Sequence, residues 1–238
     1  PGANFAVNNH IHHFSRRTRT YTAAIQLGGV RNRAAHNLIH DAPHMAIGYG
    51  GNEHLIEYNE IHHVCMETGD AGATYIGRDW THLGNVVRFN YFHNLGSGAG
   101  DHSFSDVQAI YLDDFICGTL VYGNAVVGAG RAVLIGGGRG NTVDNNIFVR
   151  CKVGVHIDQR GLGWASNNFD GGYPTLFERY DAMNAGQPPY SLRYPELATL
   201  LEDEPAAAKY NHVLRNVFVD CPNWLNLQDG LTPEMLDL

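Results

Sequence analysis

The chain has 238 residues, 28 of them glycine, with 24 acidic against 16 basic side chains and a formal net charge of -8. That length carries one sizeable core and not two, and the acidity, with Lys152 and Lys209 as the only lysines, counts against nucleic acid or an anionic membrane surface as partner. No apolar run approaches the roughly 20 residues of a membrane span, and Pro1 reads as a mid-protein or processed start, the chain being part of a longer one.

From the first residues on, one pattern recurs: Asn, any residue, apolar, any residue. It appears as NHIH at Asn9, NLIH at Asn37, NEIH at Asn59, NYFH at Asn90, NAVV at Asn124, NIFV at Asn146 and NVFV at Asn216, at intervals of 28, 22, 31, 34, 22 and 70. A second pattern sits between successive copies: AIQLG at Ala24, AIGYG at Ala46, ATYIG at Ala73, AIYLD at Ala109, AVLIG at Ala132 and GVHID at Gly154. Each alternates with period two, as a half-buried strand does. Several short strands per unit of 22 residues predict an all-β solenoid, a parallel β-helix of about seven coils. The asparagines then form an internal ladder at a turn, each bonded along the stack. His12, His40, His62 and His93 share one register and predict a stacked polar ladder; HIHH and EIHHV match neither HExxH nor a zinc spacing, so no metal and no cofactor is expected.

The extra residues in the longer units fall mostly between the ladder Asn and the following strand, so they leave one edge of the solenoid and build the walls of a groove. If Thr74/Ile76, Ile110/Leu112, Val133/Ile135 and Val155/Ile157 point inward, Tyr75, Tyr111, Leu134 and His156 form an outward column. Gly77, Asp113, Gly136 and Asp158 form the next. Asp70 lies three residues before Ala73, where an insertion enters the strand. Two carboxylates flanking one bond are the minimum equipment of most glycoside hydrolases, and tyrosines supply flat surfaces for a sugar ring. Asp70 and Asp113 are therefore the catalytic candidates. Asp114 is the fallback, and Glu67 and Asp106 are supporting acids. Arg78, Trp80, His63, His156, Asp158 and Arg160 join the two tyrosines as substrate contacts. The same aspartates also suit turns and strand ends, and Arg-Asp pairs beside a packed Trp suit structure.

Residues 160–212 interrupt the repeat. FERYDAMNAG and YPELATLLEDEP carry apolar residues at helical spacing and read as short helices in an insertion that crosses the groove or caps the side. HVLRNVFVDCPNWL then restores a last coil within one domain spanning 1–238. Cys151 and Cys221 fall on adjacent coils and read as buried thiols, with a bond between them as the alternative.

The runs DAPHMAI, EYNEIHHVCMETGDAGATYIGRDW, AIYLDD, GRAVLIGGGRGNTVDNNIFV, VHIDQRGLGW and RYPELATLLEDEP together resemble right-handed parallel β-helix proteins in or near glycoside hydrolase family 141. The resemblance covers nearly the whole chain. It implies a secreted or periplasmic carbohydrate-active enzyme, of α-L-fucosidase or xylanase type, acting on a polysaccharide or oligosaccharide through two aspartates. The matching positions are Asp70 in GDAGATY and Asp113 in YLDD. Two other readings stay open: a polysaccharide lyase or uronate epimerase, which would use Arg78, Arg139 and Arg160 or Ca²⁺ against a uronate, and a non-catalytic carbohydrate-binding solenoid.

Overall fold

The computed structural model describes residues 2–96, 107–236 and 238; the supporting acid Asp106 lies outside them. Three parallel sheets of seven strands each make the body, and every third strand in sequence joins the same sheet. The first sheet holds Phe5–Val7, Arg33–Ala35, Leu55–Glu57, Val86–Arg88, Leu120–Tyr122, Thr142–Asp144 and His212–Leu214. The second holds His10–His12, Leu38–His40, Glu60–His62, Tyr91–His93, Ala125–Val127, Ile147–Val149 and Val217–Val219. The third holds Ile25–Leu27, Ile47–Tyr49, Ala71–Gly77, Val107–Asp113, Arg131–Gly136, Val153–Asp158 and Asn223–Gln228. One strand in each sheet makes one round of a β-helix-like winding.

The three-residue strands of the first two sheets present one side chain inward: Ile39, Ile56, Ile61, Val87, Phe92, Val121, Val126, Val143 and Phe148 are fully buried. The longer strands of the third sheet present two, as Ile110 with Leu112 and Val133 with Ile135. Each such side chain contributes about 1.5–3 kcal/mol on leaving water, and stacked in register they form one continuous apolar column.

Every expected asparagine takes its place in the ladder. Asn37 Oδ1 accepts the Asn9 N–H at 3.0 Å and its Nδ2–H at 2.8 Å. The same pair of bonds runs on through Asn59, Asn90, Asn124, Asn146 and Asn216. A second ladder lies five residues earlier in two stretches, Asn4, Asn32, His54 and Asn85, then from the Thr119 N–H to Asn141 and Asn211, with the Thr119 hydroxyl itself unpaired among the described residues. Its signal, an Asn or a stand-in five before each NxΦx, is present in the sequence but broken by His54 and Thr119.

The insertion contains helices Thr175–Ala182, Tyr190–Arg193 and Pro195–Ala198 with short 3₁₀ turns. Leu176 and Tyr180, one helical turn apart, are buried. With Leu197 and Leu200 they meet Trp80, Leu83, Phe115 and Cys117 in a second core. Arg139 fixes the return of the chain, donating to Asp203 Oδ2 at 3.0 Å and to the carbonyls of Asp203, Glu204 and Ala207. The insertion thus covers the loops that follow the third sheet. All four cysteines carry free thiols, Cys151 buried and Cys221 partly so.

Candidate functional site

The outward columns assemble on the third sheet as parity requires. Tyr75 pairs with Tyr111, Leu134 with His156, Gly77 with Asp113, and Gly136 with Asp158. Tyr75 and Tyr111 meet edge to face, with ring centroids 5.4 Å apart. Their hydroxyls cross. Tyr111 donates to Asp70 Oδ1 at 2.8 Å, and Tyr75 donates to Asp113 Oδ2 at 3.1 Å, so each tyrosine holds the aspartate contributed by the neighbouring round. Asp70 is exposed and sits in the left-handed region (φ 45°) at the entry to its strand. Burial, and then the Asp113 charge, push both phenols above their ordinary pKa, which keeps them as hydrogen-bond donors.

Asp113 is 7% exposed. Its Oδ1 accepts Arg160 Nη1 at 2.8 Å, and the same nitrogen reaches Asp114 Oδ1 at 2.8 Å. Arg160 also grips Asp158 through Nε at 2.8 Å and Nη2 at 2.7 Å. The guanidinium therefore spans from Asp158 across the intervening strand to Asp113. It passes over Gly136, where a Cβ would lie 2.4 Å from Arg160 Cζ; the glycine between the two aspartates is what admits it. His156 closes the other side, with Nε2 3.3 Å from Asp158 Oδ2 and Nδ1 2.8 Å from Asn226 Oδ1.

The electrostatics separate these carboxyls. Burial foremost, and then the Asp114 charge, raise the Asp113 pKa against the pull of Arg160. Burial would raise Asp158 as well, but the Arg160 and His156 hydrogen bonds and the Arg160 charge outweigh it and hold that carboxyl at about 2. The site thus pairs an enclosed carboxyl whose pKa is raised with an exposed one.

Several expected contacts are placed otherwise. Trp80 is 1% exposed and packs against Phe177 and Tyr180 of the insertion, so it offers no face to a sugar; the second core under the insertion claims it. Arg78 pairs with Asp114 Oδ2 at 2.6 Å, and its carbonyl accepts Arg179 Nη1 at 2.6 Å. His156, Asp158 and Arg160 are buried in the clamp rather than open to a ligand. Glu67 bonds Arg19 Nε at 2.8 Å in an exposed pair, and His63 Nδ1 lies 2.6 Å from His62 Nδ1. The Arg160 guanidinium lies 5.1 Å from the ring centre of Trp164, which is 70% exposed, and Tyr75 is half-buried. Arg78, Arg139 and Arg160, the cations a uronate would need, all serve protein acceptors.

Comparison with protein-family models, with curated proteins and with solved structures returns no match. The likeness to glycoside hydrolase family 141 rests on the quoted motifs alone.

Proposed function

We propose that the chain is a right-handed parallel β-helix of a secreted or periplasmic carbohydrate-active enzyme that hydrolyses glycosidic bonds in an oligosaccharide or polysaccharide, with α-L-fucosidase or xylanase as the expected type. Asp113 donates the proton to the leaving oxygen, and Asp70 attacks or activates water. The observation that carries this reading is the crossed pair of tyrosine bonds, which binds the two aspartates of successive rounds into one cluster. The raised pKa of Asp113 supports the acid role for it rather than for Asp70. No cofactor enters the scheme.

One observation favours a second reading. Arg160 occupies one oxygen of Asp113 and the Tyr75 hydroxyl the other, and Asp113 and Tyr111 are nearly enclosed, as suits a carbohydrate-binding solenoid whose aspartates hold the scaffold. Screening the protein against neutral plant and microbial glycans by reducing-end release separates the two. Hydrolysis is expected to fall about 10²–10⁴-fold on Asp113→Asn or Asp70→Asn, with glycan binding kept. Glycan binding with no release in the parent protein would favour the scaffold, and a product absorbing in the ultraviolet would favour a lyase.

A further inference from the structure

On the second sheet, the rings of His12, His40, His62 and His93 stack as the register requires, with centroids 5.2, 4.7 and 4.7 Å apart. Alone, such a stack is a packing device. The fold adds a carboxylate from another column: Glu60 stands two residues before His62 on the same strand and the same face, and His93 lies directly opposite His62 on the next strand. Ligand atoms of Glu60, His62 and His93 all lie within 4.8 Å of one another. Around a zinc-sized ion bound at about 2.0–2.1 Å, tetrahedral ligands stand about 3.3 Å apart, and the Glu60 side chain, 50% exposed, has room to close on the two rings.

The remaining ring nitrogens are already engaged. His62 Nδ1 lies 2.6 Å from His63 Nδ1, and His93 Nδ1 lies 2.7 Å from Asn94 Oδ1. His93 Nε2 faces Glu60 Oε1 at 3.2 Å. A ligating histidine whose other nitrogen is held by a neighbour is the usual arrangement at a metal, and two imidazoles with one carboxylate suit a borderline ion rather than Ca²⁺ or Mg²⁺.

We infer that Glu60, His62 and His93 form a binding site for one divalent transition-metal ion of the zinc class, with water completing its coordination. This site is independent of the aspartate cluster. The test is calorimetric titration of the untagged, chelator-treated full chain with Zn²⁺, with Ca²⁺ as the hard-ion control. The expected result is one Zn²⁺ per chain and no response to Ca²⁺. Affinity should weaken at least tenfold in Glu60→Gln and in His93→Gln, and stay unchanged in Cys221→Ser, with circular dichroism constant throughout. Glu60 lies outside the ring stack, so Glu60→Gln decides the matter even where His93→Gln disturbs the fold. Absence of Zn²⁺ binding, binding that survives Glu60→Gln, loss on Cys221→Ser, or an equal response to Ca²⁺ would each overturn the assignment.

Discussion

His54 shows how much one side chain can carry in a repeating fold. It is 1% exposed and stands where the second ladder otherwise uses Asn: its Nδ1 accepts the Asn32 N–H at 3.1 Å, and Nε2–H donates to the Gly50 carbonyl at 2.9 Å. Both nitrogens have fixed roles in the neutral ring, and burial lowers the pKa below 6.5. Between that lowered value and 6.5 the unfolded chain binds more protons than the folded one, so stability falls as pH drops below about 6.5. Burial also lowers His44 and His82, which add in the same direction. In His54→Asn the amide oxygen keeps the acceptor without a titrating ring. Melting curves from pH 7.5 to 5 should show a smaller acid loss in this variant, with a midpoint at pH 7.5 within about 4 °C of the parent, as a change near 1 kcal/mol produces. An equal acid slope in both proteins would remove His54 from the account.

At the scale of the strand and its corner, the asparagine ladders are the repeat's main device. Asn124 illustrates the stakes: its Oδ1 accepts both Asn90 N–H and Asn90 Nδ2–H at 3.0 Å, while its Nδ2 donates to the Val87 carbonyl and to Asn146 Oδ1. Removing it orphans several buried groups at about 1–3 kcal/mol each. Urea unfolding is expected to show Asn124→Ala losing more than about 2 kcal/mol, and Asn9→Ala, at the exposed first rung, less than about 1 kcal/mol. The NxΦx repeat made this ladder readable because every rung is an Asn. The corners were not readable. The residue just before each rung, Asn8, His36, Tyr58, Phe89, Asn145 and Arg215 with Gly123 among them, has positive φ, although side chains other than glycine ordinarily lose about 1 kcal/mol there. No residue type marks that column, since the conformation is imposed by the strands on either side and partly offset by ring stacking of His36 on Tyr58 and Tyr58 on Phe89.

Over the whole molecule, the third sheet's outward columns followed from parity alone, which is why Tyr75, Tyr111, Asp113 and Asp158 could be placed on one face before any coordinates. What parity could not give is reach. Arg160 extends over Gly136 to an aspartate two rounds away, and Trp80 is claimed by an insertion that enters about a hundred residues later; both depend on long-range packing with no local pattern. The stack also predicts a gradient. Inward residues of the first and last rounds, Ala6, Ile11, Phe218, Leu225 and Leu227, are only partly covered, while Val121, Val126 and Val133 are fully enclosed. In a fold where each repeat touches only its neighbours, amide exchange should be slowest around residues 120–136 and quicken toward both ends; uniform protection would instead indicate a single cooperative unit.

The ladder has one further property. Each rung from Asn9 to Asn146 passes one amide hydrogen forward to the side-chain oxygen of the next rung, while from Asn37 on the same nitrogen also donates to a main-chain carbonyl of the round before. Aligned amides polarise one another in the same sense, so the interior holds an axial dipole assembled from side chains, as a helix assembles one from its backbone. A helix cannot delete a peptide unit from its dipole, whereas this array can be cut at any single rung by one Asn→Asp exchange, which removes the donor and leaves two shorter dipoles.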